Sequence, residues 1–185
     1  MAAKANPKPK PKFKQPGEVN IRDIVIVPLL ALLVIGYLVI SLSTRNWMWF
    51  LPNEFTTRPD HIEIYHEGEQ VVLEPGDPGY DELTGELNEQ LRSIQGYYEV
   101  GINDTTLQES QQRSTVVIMF YDEPLRMNSR WNLGEPDRIL IPITGANSNA
   151  NRVYTGTENG FGHGGLVLQD LSEFISIVEG LGFQE

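Results

Sequence analysis

The sequence predicts an α+β fold: one N-terminal transmembrane helix followed by a two-layer domain, a mostly antiparallel sheet with helices on one face. Three observations predict it. One uninterrupted apolar run, 24–43, carries no charge. Short alternating or continuous apolar segments punctuated by Gly and Pro recur after residue 60. Two stripes of apolar residues at spacings of three and four mark amphipathic helices among them.

The apolar run is about 20 residues long, and at ~1.5 Å per residue it spans the ~30 Å hydrocarbon core of a bilayer. All five lysines, Lys4, Lys8, Lys10, Lys12 and Lys14, precede it. With Arg22 they place the N-terminus in the cytoplasm by the positive-inside rule. Trp47-Met48-Trp49-Phe50 follows as an outer aromatic belt, so contact with membrane lipid is expected over 24–50. A cleaved signal peptide usually has an apolar core of only ~7–15 residues, and Ser41-Leu42-Ser43 is a poor cleavage site. The expected localisation is therefore the cell membrane, single-pass, with an uncleaved signal anchor and the C-terminal domain extracytoplasmic.

Residues 1–23 read as a disordered basic tail. Lys8-Pro9-Lys10-Pro11-Lys12 alternates charge with fixed φ and has nothing to bury. Such a tail sets orientation, and near anionic lipid each basic residue adds ~1 kcal/mol of attraction. Residues 44–59 read as the aromatic belt and a stalk, with Pro52 and Pro59 breaking regular structure. Residues 60–185 remain for one extracytoplasmic α+β domain, long enough to bury its own core.

Charge divides at the anchor. Residues 1–23 hold six cations against two acids, so the −11 of the whole chain leaves −15 for the remainder. An acidic domain repels nucleic acid, so no nucleic-acid partner is expected. The absence of cysteine excludes disulfides, thiolate ligands and a cysteine nucleophile.

Within the domain, His61-Ile62-Glu63-Ile64-Tyr65-His66 alternates as a half-buried strand does. After the turn Glu67-Gly68-Glu69, the segment Gln70–Glu74 completes a hairpin. Asp77 and Pro78 suit an N-cap and first helical residue. Tyr80, Leu83, Leu87, Leu91 and Ile94 then form the stripe of a helix that Gly96 stops. Asn103-Asp104 caps a short polar helix reaching about Arg113. Thr115–Tyr121 is β-biased and nearly continuously apolar, hence a central strand. Arg138–Ile143 is a second such strand, but Pro142 argues for an edge. Arg152–Gly156 pairs with it as a hairpin, and Leu171, Phe174, Ile175 and Val178 mark a last helix ending at Gly180.

Three places bear on chemistry. Gly160-Phe161-Gly162-His163-Gly164-Gly165 has free amides suited to an anion or oxyanion, and Gly162, His163 and Gly164 are weak pocket candidates. No Gly-x-Ser-x-Gly elbow accompanies them, so a glycine-rich turn is the plainer reading. His61 and His66 fall on opposite faces of one strand and are poorly placed to share a metal. Glu74, Asp77, Asp81 and Glu82 lack Ca²⁺-loop spacing and suit capping instead. No catalytic set, metal site or cofactor motif is legible. Asn103-Asp104-Thr105 is a glycosylation sequon, relevant only in a eukaryotic secretory pathway.

The best functional feature is a stretch carrying Arg126, Arg130, Trp131 and Arg138. Arg and Trp together are what interface anchors use, although these arginines also serve as counter-charges in an acidic domain. The expected function is a non-enzymatic interaction domain with a protein partner, as an accessory or assembly subunit of a membrane complex or an envelope adaptor. The alternatives are a membrane-anchored hydrolase using His163 with carboxylates, and an extracytoplasmic ligand-binding domain.

Overall fold

The computed structural model describes residues 21–44, 47–51, 55–127, 131, 133–148 and 150–183. Most of the basic tail, Arg45, Asn46, the 52–54 part of the stalk and Arg130 lie outside the described residues. The first element is helix α1, Ile21–Thr44. Of this, 21 residues from Ile24 are apolar and long enough to cross a membrane. Its apolar side chains, from Ile24 to Leu42, are open rather than packed in a core. The helix starts early enough to place Pro28 two turns inside it, where it cannot donate to the carbonyl of Ile24.

Residues from Phe55 onwards build an α+β domain. Among them are strands β1 (His61–His66), β2 (Glu69–Leu73), β3 (Gly96–Tyr98), β4 (Thr115–Phe120), β5 (Arg138–Pro142), β6 (Arg152–Gly156) and β7 (Gly165–Val167). They join in one sheet in the order β2-β1-β4-β5-β6-β7-β3. Every neighbouring pair is antiparallel. Helices α2 (Tyr80–Leu91), α3 (Asp104–Arg113) and α4 (Ser172–Gly180) complete it.

The alternation of the strands separates two clusters. Ile62, Ile64, Val117, Met119, Ile139, Ile141, Val153 and Leu166 face one way, onto Tyr80, Leu83, Leu87 and Leu91 of α2 and Phe174 and Val178 of α4. Ile118, Leu140 and Tyr154 face the other way, with Ile102 and Phe161, and Leu107 of α3 packs against them. The helices are therefore not confined to one face, as the two-layer expectation had it. The sheet is apolar on both sides at β4 and β5, so both faces need cover.

Three local expectations are corrected. Pro142 does not demote β5, which is the middle strand of the seven. Pro142 ends β5 beyond the last β6 pair, Leu140↔Tyr154, so no ladder bond is lost. The Ile143 N–H still reaches the Thr115 carbonyl at 2.9 Å. Asp77 does not cap α2: its carboxylate folds back onto the Glu74 N–H at 2.8 Å, and the cap position falls to Gly79 at φ 87°. Gly96 does not stop α2 but opens β3. The helix ends at Leu91, and the Gln95 N–H is captured by the Val167 carbonyl at 2.9 Å. Strands β3 and β7, which pair with each other, had no legible period because each is three residues long and starts at glycine.

Candidate functional site

The structure divides the arginine–tryptophan stretch. Arg126 is exposed in the loop after β4. Trp131 is half-buried against the cluster under α2 and α4, and its ring stacks on Tyr97 at 6.4 Å and 27°. Arg138 lies on the opposite sheet face. It opens β5, in register with Phe120 of β4, which is in register with His61 of β1. Register alone thus lays His61, Phe120 and Arg138 in a line across three strands.

The line is tightly organised. The His61 ring stacks on Phe120 at 4.6 Å and 8°. The Arg138 guanidinium sits over the same ring at 5.3 Å, an arrangement that the negative face of the ring favours. Carboxylates flank it. Asp137 accepts from Arg138 Nε at 2.7 Å, Asp60 lies 3.1 Å from His61 Nδ1, and Glu63 lies 3.7 Å from His61 Nε2. Glu63 also accepts from the Tyr65 hydroxyl at 2.9 Å. Burial, then that bond and the Glu63 charge, push the Tyr65 phenol up to about 12. The result is a half-buried band of planar groups edged by charge. It suits recognition of a partner surface by stacking and charge-assisted hydrogen bonds.

The glycine-rich loop has a structural job. Gly164 sits at φ 99°, and a Cβ there would come within 2.4 Å of the Tyr98 carbonyl oxygen. The Tyr97 hydroxyl donates to the His163 carbonyl. The loop is thereby clamped onto β3, while Gly162 and the His163 side chain face outwards, exposed. Trp131 and this loop meet at Tyr97, a convergence that sequence spacing did not signal. His66 turns away from His61, its Nδ1 2.8 Å from Thr115 Oγ1. Among the described residues no group of three or more His, Asp or Glu side chains is arranged to hold a metal ion.

A cavity of about 320 Å³ adjoins the band at Asp60 and is lined by Thr57, Arg58, Pro59, Asp60, Pro75, Tyr121, Asp122 and Glu123. The Tyr80 hydroxyl donates to the Pro59 carbonyl and so fixes one wall. Arg58 is paired with Asp81, which leaves Asp60, Asp122 and Glu123 as an acidic rim. Burial pushes the Tyr121 phenol up, and its hydroxyl lies 3.6 Å from Met119 Sδ. Sequence reasoning missed this concavity because three distant segments form it.

Comparison with protein-family models, with curated proteins and with solved structures finds no match.

Proposed function

We propose that the chain is a single-pass membrane protein whose C-terminal domain is an extracytoplasmic interaction module, an accessory or assembly subunit of a membrane complex or an envelope adaptor. The observation that carries this reading is α1. Its apolar side chains lie open along the whole span, which water penalises and lipid does not. The lysines all precede it, which sets the N-terminus in the cytoplasm. The partner-facing surface is the His61–Phe120–Arg138 band, with Arg126 on the neighbouring loop. Its planar groups are held in place before binding, so little ordering entropy is lost on contact.

The test has two arms. Protease added to spheroplasts should digest the chain after Ser43 and spare a tag at Met1; a protected C-terminal part would refute the orientation. Charge reversal, Arg126→Glu with Arg138→Glu, should reduce recovery of the co-purifying partner from mild detergent at least tenfold, whereas His163→Ala should leave it intact. The opposite pattern would favour a hydrolase built on His163.

A further inference from the structure

Strand β2 ends the sheet and leaves one main-chain edge without a strand partner among the described residues. The hairpin turn Glu67-Gly68 has positive φ at both residues, 49° and 88°, the two-residue geometry that closes on the pair His66↔Glu69. Alternation then directs the main-chain groups of Glu69, Val71 and Leu73 to β1, and those of Gln70 and Val72 outwards. No strand lies on that side, since β2 ends the sheet among the described residues.

Both ends of this edge are pinned. At the turn, the Gly68 N–H donates to the Gln111 carbonyl at the end of α3, at 3.0 Å. At the other end, the Asp77 carboxylate accepts the Glu74 N–H at 2.8 Å, and the Asp77 N–H donates to the Glu74 carbonyl at 3.0 Å. The strand between has no Lys, no Pro and no bulge, and its one charge, Glu69, sits at the turn. Val71 and Val72 are 38% and 46% exposed, one on each face. The opposite edge, β3, differs: Tyr97 is covered by Trp131 and tied to His163.

Charge selects the occupant. Glu67, Glu69 and Glu74 flank the two valines, all exposed. A second copy would set these acids against themselves, on a background of −15 per domain. We infer that β2 takes up, by strand addition, an extended segment of another protein in which Lys or Arg alternates with β-branched residues. Main-chain bonds to Gln70 and Val72 would supply the pairing, Val71 and Val72 the apolar contact, and the glutamates the choice of a basic partner. This inference rests on the domain being an interaction module; it concerns the outer edge of β2 rather than the Arg138 end of the band, although Val72 is in register with Glu63 at the band's margin.

The test uses the full chain in mild detergent and a fluorescent peptide, Lys-Val-Lys-Val-Lys-Val-Lys, read by anisotropy. Controls are the same peptide with Glu for Lys, and one N-methylated at alternate amides on its pairing edge. The Lys peptide should bind at least tenfold more tightly than either control. Val72→Pro should abolish binding, because it removes an outward N–H without touching the β1 ladder. Val72→Lys should weaken it at least tenfold by charge. Equal binding of the N-methylated peptide, or binding unchanged in both variants, would mean charge attraction alone and overturn the inference. So would no binding at all, or a self-associating edge that Val72→Pro renders monomeric. In those cases an intact effect of the Arg126 and Arg138 reversals on partner recovery would leave the interaction reading standing.

Discussion

The Tyr97 hydroxyl donates to the main-chain oxygen of His163, across 66 residues of sequence. This one bond ties the edge strand β3 to the glycine-rich loop. It assigns that loop a packing role in which the His163 side chain takes no part. Tyr97→Phe should therefore cost about 1 kcal/mol, the usual net worth of such a bond. His163→Ala should change stability by less than about 0.5 kcal/mol, as surface substitutions do. Gly164→Ala should cost more than either, since it strains a left-handed φ and meets the Tyr98 carbonyl. Urea denaturation of the three variants checks the order; a loss at His163→Ala matching that at Gly164→Ala would refute it.

Leu87 is fully buried between α2 and the sheet. Leu87→Ala should destabilise the domain by ~2–5 kcal/mol through lost burial and the cavity left behind. A fall in the urea midpoint without a change of slope is the expected signature.

The Asn103 side chain accepts the Thr106 N–H at 2.8 Å and caps α3. Asn103→Ala should cost ~0.5–2 kcal/mol. Asp77→Ala should leave helix content intact, because Asp77 closes the end of β2 instead. Far-UV circular dichroism with thermal melts distinguishes the two.

Alkaline pH should destabilise the domain through Tyr65 and Tyr121. Burial raises both phenols in the folded state, with Glu63 adding to the shift at Tyr65. Below about pH 10, the ordinary tyrosine value, both states are neutral and the full stability is present. As pH rises from there through the folded value of about 12 for Tyr65, the unfolded chain ionises first and stability is lost. Tyr65→Phe should flatten the fall in melting temperature between about pH 10 and 12. A profile as steep as that of the parent chain would show that Tyr65 does not contribute.

The elements legible in the sequence were those whose own period carries the signal. His61–His66 alternates because one face is buried. Tyr80, Leu83, Leu87 and Leu91 repeat at helical spacing for the same reason, and Asn103 announces its helix by a local side-chain bond. The candidate site was legible only as residue types. Arg126, Trp131 and Arg138 stand close in sequence, yet Trp131 packs with Tyr97 on the side covered by α2 and α4 and Arg138 with Phe120 on the other. Nothing in their spacing distinguishes these fates.

By itself the sequence determined one helix long and apolar enough to cross a membrane, and an α+β domain after it. Both follow from local composition and period. Only the tertiary structure decided that β5 lies at the centre despite Pro142, that α3 covers the second face, and that His61, Phe120 and Arg138 form one line. Those outcomes depend on which strands pair and in what register. Register is set by burying both sheet faces at once, a condition on the whole domain that no single segment carries.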